Sequence, residues 1–302
     1  MNRVLTGCLC ALGCEFLYGM SFMFTKRATE IADTAQLLGW RFLIGFAVMS
    51  IPVVVGIIKI DIRKKWRQGS SIRPLLLVGM FFPCIYFVAE TVGISHTTSS
   101  ESGIVLAVIP VVSLVASSLI LKKKPTKLQV AGILVTVTGA VITVVAVGTS
   151  TSMSPVGYTA LAVAVLSYSL YCVYVDKASD FTGYEVTYFM LFMGAVVYVI
   201  YALAEAGMNG SVAELVSLPF RESSFLMAIL YQGIGCSVFA FFLNNLAIAR
   251  IGVNRSASFV GVATVVSIAA GALIMKETVT LMQIIGAGVI LAGVYIANSK
   301  GS

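Results

Sequence analysis

The sequence predicts an all-α integral membrane protein, with ten transmembrane helices arranged as two inverted five-helix repeats. Three observations carry this. The 302-residue chain is 59% hydrophobic and 11% charged, with a mean hydropathy of +0.98, whereas soluble domains run at about 25% charged and 45–50% apolar. Its apolar residues fall into ten runs of about 20, the length a helix needs to cross a bilayer. The chain also matches itself when slid by 154 positions.

The ten runs are 4–25, 34–58, 73–95, 101–121, 127–147, 155–176, 184–206, 224–248, 254–275 and 279–298. The first follows Arg3 as a leader peptide would. It is long enough to span, has no small-x-small cleavage site and is interrupted by Glu15, so it is expected to remain as the first helix. The connections are short, and none is polar and long enough to form a separate soluble domain.

Lys and Arg set the orientation. With the N-terminus in the cytoplasm, fifteen of the twenty lie in loops on the inner side, chiefly Lys59–Arg73 and Lys122–Lys127. Lys26, Arg27, Arg221 and Lys276 lie outside, and Arg41 is within a helix. Both termini are therefore expected in the cytoplasm, with the chain in the plasma (inner) membrane. The net charge of +7 is an orientation signal that needs no nucleic-acid partner, although the basic loops suit anionic lipid.

At the 154-residue shift, residues 100–142 lie over 254–296. Val111, Val112 and Ser113 meet Val265, Val266 and Ser267; Gln129 meets Gln283; Gly132 and Gly139 meet Gly286 and Gly293. Nearer the start the shift becomes 150, pairing Gly7 with Gly157 and Tyr18 with Tyr168. The halves are 1–150 and 151–302, each with five spans. An odd number of spans inverts the second half in the membrane, an architecture of secondary transporters with a site near the midplane.

Three further stretches are "RFLIGF" (41–46), "GISHTTSSESGIVLAVIPVV" (93–112), ending just past Pro110, and "LIMKE" (273–277). With the tandem halves, they make the chain resemble the drug/metabolite transporter superfamily, specifically its ten-helix EamA-type members, over essentially its whole length. The resemblance implies small-molecule transport, commonly metabolite export, without fixing a substrate. One departure is Thr264, where the family's ninth span usually carries a proline matching Pro110.

Ionisable residues at bilayer depth are costly and mark function. Glu15 lies near the middle of its span, with no basic residue at its depth and with Cys8, Ala11, Tyr18 and Phe22 on its face. Desolvation disfavours the charge of such a carboxylate, so Glu15 is expected to exchange a proton or to contact substrate. Small multidrug-resistance transporters, distant members of the superfamily, resemble this in having a first-helix glutamate. The alternative is a permanently protonated Glu15 hydrogen-bonded to Gln232 or a tyrosine. Its repeat counterpart is Val165, so the carboxyl belongs to one half only.

Arg41 and Glu90 lie at similar depth on the second and third spans and are expected to form an ion pair. That pair is read either as an outer gate or substrate-carboxylate anchor, or as a lock between two helices. Gln232 near mid-depth is a ligand candidate, with Tyr18, Tyr86, Tyr168 and Tyr171. Trp40 and Tyr231 are further candidates for an aromatic cavity lining, with packing the commoner role. Asn244 and Asn245, nearer the inner end, suit helix-to-helix hydrogen bonds. Gly132, Gly139, Gly286 and Gly293 suit close helix packing or a dimer face, and Glu101 suits a helix N-terminus.

Six cysteines without a CxxC pair and a single histidine, His96, offer no metal or redox motif. No catalytic constellation, phosphate loop or HExxH is present, so neither an enzyme nor a cofactor is expected. The expectation is a secondary active transporter, working by alternating access, proton-coupled through Glu15 and exporting amino acids or related metabolites. Its partners are that solute, protons and membrane lipids, as a monomer or homodimer. Competing readings are a multidrug or organic-cation exporter, an uncoupled facilitator, and a non-transporting membrane scaffold with a closed interior.

Overall fold

The computed structural model describes residues 3–96, 105–145, 154–274 and 279–299, without the side chains of residues 22, 26, 94 and 95. Among the described residues every regular element is helical. In chain order these are α1 (Arg3–Thr29), α2 (Thr34–Val54), α3 (Ile62–Arg67), α4 (Arg73–Gly79), α5 (Tyr86–Ser95), α6 (Ile109–Ile120), α7 (Lys127–Val145) and α8 (Pro155–Lys177). There follow α9 (Gly183–Met208), α10 (Val212–Arg221), α11 (Ser223–Leu230), α12 (Phe241–Ile251), α13 (Val253–Ser258), α14 (Gly261–Ile274) and α15 (Leu281–Asn298).

Nine segments among the described residues are long and apolar enough to cross a membrane, and each coincides with one of the expected runs. The remaining run, 101–121, is represented by the 12-residue α6; residues 97–104, with Glu101, and 275–278, with Lys276, lie outside the described residues. Two short helices, α3 and α10, stand where only connections were expected. Ten residues or fewer with mixed polarity escape a search for 20-residue apolar runs.

Helix starts explain part of the self-match. The Gln129 side chain accepts the Thr126 amide at 3.0 Å, while the Thr126 hydroxyl accepts the Gln129 amide at 3.2 Å. Thr280 and Gln283, 154 positions on, make the same reciprocal pair at 2.8 and 3.2 Å. These are capping boxes that satisfy orphan amides at a helix N-terminus. Thr182 and Glu185 cap α9 in the same way.

Small residues let α7 and α15 approach closely. A Cβ on Gly132 would stand 2.3 Å from the Ala297 amide nitrogen, and one on Gly293 would stand 2.7 Å from the Gly132 carbonyl oxygen. The heptad-spaced glycines therefore pack α7 against α15 within this chain. α2 packs on α9, α1 on α12 and α14, and α8 on α5 and α6.

The third and eighth spans are irregular. Between α4 and α5, Met80–Ile85 is π-helical and Phe82 leaves helical geometry at φ −142°, ψ 113°. Pro83 has no amide hydrogen to return to this turn. The Tyr198 hydroxyl lies 3.1 Å from the carbonyl oxygens of both Pro83 and Cys84 and so ties α9 to the turn just after the break. Between α11 and α12, Tyr231–Ala240 is π-helical. The ninth span breaks into α13 and α14 at residues 259–260 although Thr264 is no proline.

An aromatic core fills the middle. Phe82 stacks on Tyr171 at 4.7 Å between ring centres and meets Phe241 at 5.0 Å. Phe42 stacks on Tyr198 at 5.1 Å.

Candidate functional site

Glu15 lies in the middle of the 27-residue α1. It is buried, 4% exposed, and its carboxyl has no hydrogen-bond or ion-pair partner among the described residues. Neither Gln232 nor a tyrosine holds it, so the hydrogen-bonded alternative has no partner here. The phenols of Tyr18, Tyr86, Tyr168 and Tyr171 all lie within its electrostatic reach.

These four tyrosines differ in what their hydroxyls do. Tyr18 keeps a buried hydroxyl without a hydrogen-bond partner, one helical turn from Glu15. Tyr168 accepts from the Asn244 amide at 3.3 Å, which leaves its own proton undirected. Tyr171 is saturated: it accepts from Asn244 at 3.1 Å and donates to Asn245 Oδ1 at 2.7 Å. Tyr86 donates to Glu90 Oε1 at 2.7 Å. Buried polar groups are nearly always paired. Unspent capacity is therefore left at Glu15, at the Tyr18 hydroxyl and at the Tyr168 proton.

Asn244 and Asn245 hydrogen-bond across helices. Asn245 ties α12 to Tyr171 of α8 and, through its amide, to the Thr187 hydroxyl of α9 at 3.0 Å. Asn244 ties α12 to α8 and, at 3.5 Å, accepts from Ser256 of α13.

The expected ion pair does not form. Arg41 donates from Nε to Ser237 Oγ at 2.9 Å and from Nη1 to Gln232 Oε1 at 3.4 Å, both on the eighth span. What the third span offers it is the Phe87 ring, 4.6 Å from the guanidinium carbon. The reason is helix proximity. A Cβ on Gly45 would stand 3.1 Å from the Gly233 carbonyl oxygen, so α2 lies against the π-helical stretch and its hydroxyl comes first. Glu90 instead takes the hydroxyl of Tyr86, one turn away on its own helix.

Gln232 is likewise committed, donating to Thr25 Oγ1 at 3.0 Å besides accepting from Arg41. Tyr231 donates to the Leu17 carbonyl at 2.9 Å and Trp40 to the Leu215 carbonyl at 2.9 Å, so both act as fasteners. Sequence reading passed over Ser237, Thr25, Thr187 and Ser256. Small hydroxyls in an apolar helix read as packing. The available signal was that Ser237 follows Gly233 by four residues, on the face that approaches α2.

Two clefts lie elsewhere. An apolar one of about 730 Å³ sits between the third span and α8, lined by Cys84, Val88, Val92, Pro155 and Val163. The other, about 540 Å³, is lined by Arg73, Leu77, Tyr174 and Lys177. Glu15 lines neither. All six cysteines are free.

The EamA-like transporter family matches this chain twice, over residues 5–145 and 155–299. "Uncharacterized transporter YcxC" of Bacillus subtilis (strain 168) is 32% identical over 286 residues, 94% of this chain and 90% of its own length. An "Uncharacterized transporter" of Archaeoglobus fulgidus is 20% identical and covers 94% of this chain. A solved crystal structure shares the fold, with a TM-score of 0.76 at 19% identity, covering 98% of this chain and 99% of that one.

Proposed function

The chain belongs to the EamA-like transporter family, and from that premise we propose that it is a secondary active transporter exporting amine-bearing metabolites, amino acids among them. The observation that carries this is Glu15, buried at mid-helix with no hydrogen bond or ion pair among the described residues, one helical turn from the partnerless hydroxyl of Tyr18. A carboxylate there can hold a substrate ammonium or a proton, one at a time. Exchange of the two couples export to proton entry.

The proposed architecture is ten spans in two inverted halves, with both termini on the cytoplasmic side of the inner membrane. Several findings support it. The family matches once per half. The packing of α5 on α8 has its repeat counterpart in α12 on α1, and α2–α9 and α7–α15 join corresponding spans. The π-helical stretches stand at corresponding places in the third and eighth spans. The test is uptake into proteoliposomes driven by a pH gradient. Glu15→Gln is expected to abolish proton-driven transport while leaving folding intact; unchanged, gradient-independent transport by the variant ends the proposal.

A second reading is export of organic cations. The cluster of Phe82, Tyr86, Tyr168 and Tyr171 rings favours it, since aromatic faces attract desolvated cations. Transport of a quaternary ammonium solute in preference to zwitterions, with a response to membrane potential, would select this reading.

A further inference from the structure

α10 occupies a defined place. It is tethered to α9 by residues 209–211 and to α11 by Glu222 alone. The start of α9 is bound to the basic loop through Lys65 and Glu185, 2.6 Å apart. Because α9 is long enough to cross the membrane, α10 lies at the opposite face, at the ends of the spans.

At 3.6 residues per turn, nine of its ten residues fall into three sectors, with Ala213 at the border of the second and third. Leu215, Leu218 and Pro219 are buried: Leu215 packs among Ala35, Ala202 and Ala206, and Leu218 among Ala28, Leu37 and Phe225. Glu214, Ser217 and Arg221 form a polar sector. Val212, Val216 and Phe220 form a third, exposed by 42%, 52% and 82%. A helix between protein and water needs one apolar sector, and α10 has two. At the same end of α9, Leu203 is 47% and Met208 82% exposed. α9 is itself long and apolar enough to cross a membrane, so apolar side chains exposed near its end have hydrocarbon within reach.

We propose that α10 is an interfacial helix whose Val212, Val216 and Phe220 lie in lipid hydrocarbon at the leaflet opposite the basic loops. Glu214, Ser217 and Arg221 lie in water. Amphipathic helices at this boundary bury apolar side chains below the headgroups. The seat is fastened to the helix that carries Arg41. Pro219 has no amide hydrogen for the Leu215 carbonyl four residues back, and Trp40 of α2 donates to that carbonyl at 2.9 Å. Lipid contact at α10 thus holds the end of α2 one residue from Arg41.

The experiment places nitroxide labels one at a time at 212 to 221. The host is a variant with its native cysteines replaced, in vesicles of phosphatidylethanolamine and phosphatidylglycerol. Collisions with oxygen are expected to peak at 212, 216 and 220. Collisions with a water-soluble nickel chelate should peak at 214, 217 and 221, and both should be lowest at 215 and 218. Chelate access at 216 and 220 equal to that at 217 overturns the proposal. So does protection of 212, 216 and 220 from both reagents with spin–spin broadening, which would mean a second copy covers them. Independently of the cysteines, Phe220→Trp in the otherwise native chain should add fluorescence that lipids brominated along their acyl chains quench. The two native tryptophans, Trp40 and Trp66, supply the baseline; no added quenching also overturns the proposal.

Discussion

Arg41 Nε stands 2.9 Å from Ser237 Oγ, across the tight contact of α2 with the eighth span. Arg41 is buried, 8% exposed, so little water can replace a lost acceptor, and hydrogen bonds to charged groups are worth about 1.5–3 kcal/mol. Ser237→Ala is expected to lower stability by about that amount in detergent thermal unfolding. Glu90→Gln, which keeps an acceptor for Tyr86, should cost under about 1 kcal/mol. The reverse order would show that Glu90, not Ser237, sustains Arg41.

Gly132 offers a sharper packing test. An alanine Cβ there would stand 2.3 Å from backbone on α15, so the helices must separate. Gly132→Ala is expected to cost about 1–3 kcal/mol, the usual range for overpacking. Gly288, whose Cβ would meet nothing within 4 Å, is the control. Gly288→Ala should be neutral or slightly stabilising, and equal losses at both positions would remove the argument from α7–α15 packing.

Tyr171 and Tyr168 neighbour each other but should separate in function. Tyr171→Phe and Asn245→Ala break one 2.7 Å bond and should couple in a double-mutant cycle by about 0.6–1.7 kcal/mol, the range for bonds between membrane helices. Tyr168→Phe should leave stability nearly unchanged and raise KM for the transported solute. A stability loss at Tyr168 without a change in KM would place it in the scaffold.

Glu185 joins the loop of α3 to the start of α9. It accepts from Lys65 Nζ at 2.6 Å and from the amides of Asp61 and Thr182 at 3.0 and 2.7 Å. Lys65 remains partly solvated, with its side chain 26% exposed against 2% for Glu185. Lys65→Ala is therefore expected to cost about 1 kcal/mol, and Glu185→Ala about 3 kcal/mol, because two amides lose their acceptor as well. Chemical unfolding at two salt concentrations checks this. The Lys65 effect should shrink with salt while most of the Glu185 effect persists.

Membrane character, nine of the spans and the self-match were legible in the chain, because burial in lipid demands long apolar runs and capping demands particular residues at particular offsets. The glutamines at 129 and 283 were visible as a repeat before their role as caps was known. Glu15 was legible for the same reason: a carboxyl in an apolar run is conspicuous without any contact being known. Partners were not legible. Arg41 and Glu90 share a depth, yet depth says nothing about which helices touch. Gly45 and Gly233 decided that, by letting α2 approach the eighth span and bringing Ser237 to Arg41. Nor could hydropathy tell a saturated tyrosine from a free one, or show that α10 faces protein, water and lipid at once. What each segment must be follows from its own solvation, and so the sequence determined it. Which polar atoms meet depends on the crossing of helices far apart in the chain, and only the tertiary structure decides it.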